Sequence, residues 1–440
     1  MKAANAGSVP QMWSVFWKAK DLRQRLWFAL SLLIVYRFCT YVPVPGVNPQ
    51  VIGDIARQNS GGLLGMLDMF SGGSLGRMSI MTLNLMPYIS ASIIVQLLTA
   101  VVPSLEALKK EGELGRMRLN QLTRYGAILL ASFQGYAVAL ILERTDGAVV
   151  DPGIFFRMVT VITLLGATLF LMWMGEQISS RGIGNGSSLI IYTGIVANLP
   201  QSALRMLEFG RTGAISLGVL FAVFVGMIAV VMFVVFVERA HRKIFIQYPR
   251  RQSERGMQGG NTSHVPIKVN TTGVIPPIFA NSLLALPITL LGFLSSRPGI
   301  WGEWASYGMR YISHGTVGYM IVSSALIIFF AFFYTSIVFN TKEMTDNLKK
   351  HGAFVLGYKP GAMTERYFDF VINRLTVVGS VYLAFLCIIP ELVMSRVTLS
   401  FYFGGTSLLI LVGVALDTIG QVHSALITHQ YEHLFKKRKR

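Results

Sequence analysis

Three stretches of this sequence carry residue types whose spacing could do chemistry. His429-Gln430-Tyr431-Glu432-His433 follows the inverted zinc-protease pattern H-x-x-E-H. On a helix the two histidines would share a face, and a zinc site there would need a further acidic ligand. None follows: the chain runs on into Lys436-Lys437-Arg438-Lys439-Arg440, whose charge opposes a bound cation. Gly182-Ile183-Gly184-Asn185-Gly186 is glycine-rich, but it lacks the dinucleotide spacing and follows an apolar run rather than a strand. It reads as a tight turn. Asp417 is a lone acid in an apolar run with no second such acid to pair with, so a hydrogen-bonded structural role is expected over a proton relay. No Gly-Lys dipeptide occurs, which excludes a P-loop. No catalytic constellation emerges, no cofactor or metal is expected, and the chain reads as a non-enzyme.

The elements that carry these residues are apolar. The chain has 440 residues, 52% hydrophobic and 14% charged, with a mean hydropathy of +0.54. Soluble domains carry about 25% charged residues, so soluble, disordered and coiled-coil classes are excluded. Apolar runs centre on 26–43, 78–101, 120–142, 154–176, 185–204, 214–237, 270–294, 316–339, 371–392 and 402–427. The first contains Arg37, ends at Pro43-Val44-Pro45-Gly46 and has no cleavage site after it, so it reads as a retained span. The net charge is +18, and segments 1–25, 109–124, 181, 239–268, 342–374 and 436–440 hold 29 Lys and Arg against nine on the opposite side. That asymmetry places both termini in the cytoplasm, which requires an even number of spans. Ten satisfies it. Cys39 and Cys387 lie in apolar runs and offer neither a disulfide framework nor a zinc spacing.

Between the first two runs, Gly61 to Phe70 is apolar but only half a membrane thick. It is followed by Ser71-Gly72-Gly73-Ser74, which reads as a flexible break. Two readings stay open: a re-entrant element within a cavity, or an amphipathic helix on the outer surface. The chain also repeats itself. Gly186-Ser187-Ser188-Leu189-Ile190-Ile191 echoes Gly405-Thr406-Ser407-Leu408-Leu409-Ile410, and Pro87 to Ser92 echoes Pro276 to Asn281. Run two pairs with seven and five with ten, a five-plus-five duplication whose second copy must be inverted. The repeat pairs Ile89 with Ile278 and Ile191 with Ile410, which either converge on one axis or pack against neighbours and lipid. A small-solute transporter would need a polar midplane site, and these residues are aliphatic. Residues 239–268 hold seven Lys and Arg against Glu254 alone, and 342–374 hold six basic and four acidic residues. Sidedness explains their sign but not their length, which suggests docking to an acidic partner such as RNA or an acidic protein.

These stretches resemble the bacterial SecY family over essentially the whole chain. The similar segments are FSGGSLGRMSI near 70–80, MPYISASIIVQLL at 86–98, KKEGELGR at 109–116, MWMGEQISSRGIGNG at 172–186, HVPIKVN at 264–270, TGVIPPIFA at 272–280, DNLKKHGAF at 346–354 and FYFGGTSLLI at 401–410. The resemblance implies an all-α polytopic membrane protein of ten transmembrane helices, arranged as two inverted five-helix halves around a central pore with a plug half-helix. The corresponding divisions are a cytoplasmic segment 1–25, a first half 26–206 with the plug at 61–73, a second half 207–427 with cytoplasmic loops 239–268 and 342–371, and a basic tail 428–440.

The resemblance further implies a protein-conducting channel of the Sec translocon, passing unfolded secretory proteins and releasing hydrophobic segments sideways. By position its sealing ring is Leu85, Ile89, Ser187, Ile191, Ile278 and Ile410, with Ser187 small and polar where an aliphatic residue is often found. Leu63, Leu64, Met66, Leu67 and Phe70 fall in the plug. Gln96, Asn270 and Asn281 are placed at a lateral gate. Arg242, Lys243, Arg250, Arg251, Arg255 and Lys359 form the docking site, Lys359 standing where the family has arginine and Gly256 following Arg255 where the family has a second arginine. The implied partners are small membrane subunits of the SecE and SecG type, the SecA motor ATPase, the ribosome, signal peptides, nascent chains and the lipid bilayer. The implied location is the bacterial inner membrane, multi-pass.

Overall fold

Each of the ten apolar runs has a helix beneath it in the computed structural model. The structure describes residues 19–58, 71–213, 216–248, 252–253, 256–257, 262–295, 299–312, 316–396 and 405–438. The chain divides into two compact units. One comprises Met1–Ile215, Leu399–Tyr402 and Ile410–Arg440, the other Ser216–Thr398 and Phe403–Leu409. The expected division at 206/207 falls inside a helix, and residues 410–427, expected with the second half, group with the first.

The first unit holds α1 (Lys20–Cys39), α2 (Pro49–Gln58), α3 (Met86–Val101), α4 (Pro103–Lys110), α5 (Glu113–Glu143), α6 (Ile154–Arg181) and α7 (Gly186–Arg211). Helix α5 packs between α3 and α6, and α6 also packs on α1 and α7. The α3–α4 pair bends by 99°. Pro103 is the cause: it drives Val102 into extended backbone, φ −96° and ψ 113°. Beyond α1 the chain is stitched to the segment that precedes α3. Val44 N–H donates to Met78 O at 2.9 Å, and Ile80 N–H to Val42 O at 2.9 Å. Val44, Val47, Ile52 and Met78 bury there against Leu142 and Phe156.

The second unit holds α8 (Leu217–Glu238), α9 (Ile275–Ser295), α10 (Ile300–Ile312), α11 (Val317–Val338), α12 (Thr341–Lys350) and α13 (Ala362–Arg396). Helix α11 packs against both α9 and α13. The first long basic loop is a β-hairpin. Strand β1 (His241–Gln247) pairs antiparallel with β4 (Thr262–Lys268), from His241↔Lys268 to Gln247↔Thr262, and the short β2 (Gln252–Ser253) and β3 (Gly256–Met257) pair between them. The other edge of β1 takes up β5 (Phe354–Val355) from the second basic loop, through Ile246↔Val355. Alternation fixes the faces. Ile244, Ile246 and Ile267 point inward and bury with Val355, Phe368 and Ile372.

The last helix, α14 (Gly405–Arg438), begins in the second unit and continues in the first. The expected tail at 428–440 is thus helical through Arg438.

Among the described residues, six helices are long and apolar enough to cross a membrane, or seven if the bent α3–α4 pair is one span. Helix α1 falls short because it opens with Lys20, Asp21, Arg23 and Arg25. Helices α7 and α9 carry internal prolines, Pro200 and Pro287. Helix α13, at 35 residues, is about 52 Å long against a hydrocarbon core of about 30 Å, so part of it stands outside the membrane.

Candidate functional site

The six ring positions share a local setting: each lies at the start of a helix. Leu85 is the N-cap of α3, and Ile89 N–H closes the first turn onto Leu85 O at 2.9 Å. Ser187 and Ile191 sit in the opening turns of α7, where the Asn185 side chain caps the helix by accepting from Ser187 N–H at 3.2 Å. Ile278 lies in the first turn of α9 and Ile410 in the second turn of α14. Leu85, Ile89, Ile191 and Ile410 are buried, while Ser187 and Ile278 are half-buried. Ile278 belongs to the second unit and the other five to the first.

The sequence repeat has a physical counterpart at two of these helix starts. A Cβ on Gly186, opening α7, would overlap the Gly175 carbonyl of α6. A Cβ on Gly405, opening α14, would overlap the Leu386 carbonyl of α13. Each unit therefore uses a glycine to seat one helix start directly on the backbone of the helix before it. The Gly182–Asn185 stretch is the tight turn expected, and Gly184 N–H donates to the Gln421 side chain at 2.9 Å.

Leu63, Leu64, Met66, Leu67 and Phe70 lie outside the described residues. The Ser71–Ser74 break that follows them is a hydrogen-bonded turn. Arg37 Nη1 donates to Gly72 O at 2.6 Å, and Arg77 donates to Gly73 O at 2.9 Å and to Gly72 O at 3.2 Å. Ser74 Oγ donates to Ser71 O at 2.8 Å and Met81 O at 3.1 Å. Gly72 and Gly73 have φ of +71° and +81°, a backbone that favours glycine. Glycine here serves a fixed turn rather than a loose hinge, because guanidinium groups take up both carbonyls.

The polar residues placed at a lateral gate have partners within their own units. Gln96 Nε2 donates to Ser92 Oγ on its own helix at 3.0 Å. Asn281 reaches Thr406 Oγ1 at 3.5 Å. Asn270 is buried, and its Nδ2 donates to Glu238 Oε1 at 2.7 Å and to Gly273 O at 3.2 Å. Its Oδ1 accepts from Gly273 N–H at 3.1 Å and Thr272 Oγ1 at 3.2 Å. Sequence reasoning missed Glu238. The available signal was a carboxylate closing the apolar run 214–237. It also missed the two-pronged ion pair between Arg124 on α5 and Glu176 on α6, at 2.6 and 3.0 Å.

Of the docking residues, Arg242 and Lys243 lie exposed on β1, and Lys359 is exposed just beyond β5. Phe245 projects from the same strand, 64% exposed, with His264 opposite it on β4. Arg250, Arg251 and Arg255 lie outside the described residues. The sheet joins the two basic loops, so Lys243 and Lys359 belong to one structured element rather than two separate connectors. Lys359 O accepts from Thr364 Oγ1 at 2.9 Å, and Tyr358 beside it stacks on Tyr367 of α13 at 4.3 Å. On the short α4, the hydrogen bond from Lys110 holds the Glu106 carboxyl below its usual range. The side chains of His429, Glu432 and His433 lie outside the described residues. Asp417 is exposed on α14.

A family profile described as SecY matches residues 79–419. A protein translocase subunit SecY from Rickettsia conorii (strain ATCC VR-613 / Malish 7) is 48% identical over 423 residues, covering 95% of this chain and 97% of that one. Among solved structures, a protein-conducting channel is similar with a TM-score of 0.68 at 19% identity, covering 93% of each chain. Canine Sec61, from a ribosome–channel complex of the endoplasmic reticulum, is similar with a TM-score of 0.63 at 18% identity, again covering 93% of each chain.

Proposed function

The chain belongs to the SecY family, and on that premise we propose how its residues divide the work of conducting a polypeptide. It is a multi-pass membrane protein and a channel subunit of the Sec translocon, passing unfolded secretory proteins across the membrane and releasing hydrophobic segments into the bilayer. The observation that carries this reading is the 48% identity to a translocase subunit along 95% of the chain.

In our reading Leu85, Ile89, Ser187, Ile191, Ile278 and Ile410 form the seal. A ring of aliphatic side chains excludes ions because they cannot shed water there, yet it parts around a polypeptide. Ser187 lowers the apolar area of that ring, which places more of the sealing on the segment 61–73. The exposed basic face of Arg242, Lys243 and Lys359 docks the ribosome or a SecA-type motor, and small SecE- and SecG-type subunits complete the complex. The chain itself transports and does not catalyse, so the energy comes from the docked partner. The setting is the bacterial inner membrane, with both termini and the basic loops in the cytoplasm.

The test is transport into vesicles carrying this chain with its small subunits. A signal-bearing precursor is added with the motor and ATP, and protease-protected precursor is scored. Protection that requires the chain, ATP and the signal is the expected result. No protection, with insertion and assembly confirmed, overturns the reading.

A further inference from the structure

Helix α10 divides its circumference into three faces. Gly302 and Ala305 are buried, and Gly308 and Met309 half-buried, at i, i+3, i+6 and i+7. Glu303, Ser306 and Arg310 are exposed at i, i+3 and i+7 and form a polar stripe. Ile300, Trp304, Tyr307 and Tyr311, at i, i+4, i+7 and i+11, are 72%, 73%, 63% and 70% exposed. At about 3.6 residues per turn these four fall in a single narrow stripe beside the polar one. Exposed apolar residues scattered singly are ordinary, but four large ones aligned on one 13-residue helix are not.

The same helix is fixed at the end of a membrane span. Helix α11 is among those long and apolar enough to cross a membrane, and Thr316 caps its start by accepting from Tyr319 N–H at 3.2 Å. The Thr316 hydroxyl also donates to Tyr311 O, at the end of α10, at 2.8 Å. A Cβ on Gly318 would overlap that carbonyl. On its other side α10 packs on α9, where a Cβ on Gly308 would lie 3.4 Å from the Leu291 side chain. The far end of α11 leads to α12 and the basic stretch 342–374. Helix α10 therefore sits where α11 leaves the hydrocarbon, on the side away from that stretch. Trp and Tyr suit this level, because each joins an apolar ring to a polar tip that reaches the headgroups.

We propose that α10 is an interfacial anchor: its Ile300–Trp304–Tyr307–Tyr311 face docks into the headgroup–acyl boundary of the leaflet opposite the basic loops, while Glu303, Ser306 and Arg310 face water. The inference rests on the multi-pass reading above and not on conduction. Its occupant is lipid because the aromatic and polar stripes run side by side along the whole helix. The line between apolar and aqueous surroundings is then parallel to the helix axis, as it is for a helix lying flat in a membrane surface. The attachments to Thr316 and Leu291 set that surface at the right level. The anchor in turn fixes the depth of the ends of α9 and α11 that it joins.

The experiment uses the full chain, assembled with its small subunits in vesicles of phosphatidylcholine and phosphatidylglycerol. The phosphatidylcholine is either plain or brominated near the top of its acyl chains. The difference in emission between the unsubstituted chain and Trp304→Phe isolates the Trp304 signal. Insertion to a depth of about 5–10 Å brings this indole to the upper acyl carbons, so brominated lipid should remove about half of its emission. Iodide in the water should remove little. On the Trp304→Phe background, Tyr307→Trp should behave like Trp304, and Ser306→Trp should show the reverse, quenched by iodide and spared by bromine. Should Ser306→Trp fail to assemble, Glu303→Trp takes its place on the same stripe. Quenching of Trp304 by iodide and not by bromine would put the aromatic face in water and overturn the proposal. Quenching by neither would mean that protein covers it, a small subunit or a second copy, and would overturn it equally. Equal quenching of the two stripes would show that the helix is not oriented by a membrane surface. Loss of the chain from the vesicles on alkaline washing would overturn the multi-pass reading, and this inference with it.

Discussion

The Ser71–Ser74 turn and the sheet built on 241–268 are both connections between helices, yet they are held by opposite means. The turn is held by polar side chains on main-chain oxygens: Arg37 and Arg77 on Gly72, Ser74 on Ser71. The sheet is held by a buried apolar cluster, with Phe368, Ile244 and Ile246 almost wholly out of solvent. Hydrogen bonds of the first kind break one at a time, at about 1.5–3 kcal/mol each when charge-assisted. An apolar cluster gives way only as a whole, because each side chain packs against all the others. The difference teaches where movement belongs. The turn can yield one contact at a time, whereas the sheet keeps its packing whole or loses it together.

Substitutions at four positions test this contrast. The largest effect is expected from Phe368→Ala, which opens a cavity under the sheet and costs about 3–5 kcal/mol locally. Limited proteolysis within 239–268 should accelerate while hydrogen exchange at the Ser71–Ser74 turn stays unchanged. If that exchange changed too, sheet and turn would be coupled and the contrast would fail.

Asn270→Leu comes next. It removes the amide that donates to the buried Glu238 carboxylate, at a cost of about 1–3 kcal/mol. Thermal unfolding in detergent reads the loss. Lower stability with unaltered signal selectivity would assign Asn270 to the scaffold rather than to a gate.

Lys359→Glu is expected to reduce motor-driven transport severalfold without altering thermal stability, and Lys359→Arg to equal or exceed the original chain, since a guanidinium adds a second prong. Equal transport by all three would remove Lys359 from the docking face. The smallest effect is expected for Arg124→Gln. Its partner Glu176 is about a third exposed, so solvent screening leaves only about 0.2–1 kcal/mol. A larger loss of thermal stability would show that polar contacts in this protein hold more than the turn alone.

Much of the scaffold was legible in the sequence because it follows from hydrophobic length. All ten apolar runs carry helices, and the Gly186 and Gly405 echo marks two glycines that meet a neighbouring backbone in the same way. Short amphipathic elements were not legible. Helices α2, α4 and α10 are too brief for their pattern to stand out from a loop. Strand β1 does show alternation, with Ile244 and Ile246 between Lys243, Phe245 and Gln247, but the surrounding charge made the segment read as a connector. The hold on Gly72 was hidden for another reason. Its partner Arg37 lies 35 residues away, and no local rule connects them. The only trace was an arginine inside an otherwise apolar run. Asn270 shows the converse: its residue type and position suggested an interface, while its hydrogen bonds turn inward to Glu238.

The β1–β5 pairing has a mechanical consequence. Strands β1 to β5, helix α12 and the base of α13 all belong to the second unit. The exposed side chains of Arg242, Lys243 and Lys359 are therefore carried by a single compact unit, on a sheet packed against the base of α13, a helix about 52 Å long. Under the docking proposed above, a pull on that face would enter the chain through this helix.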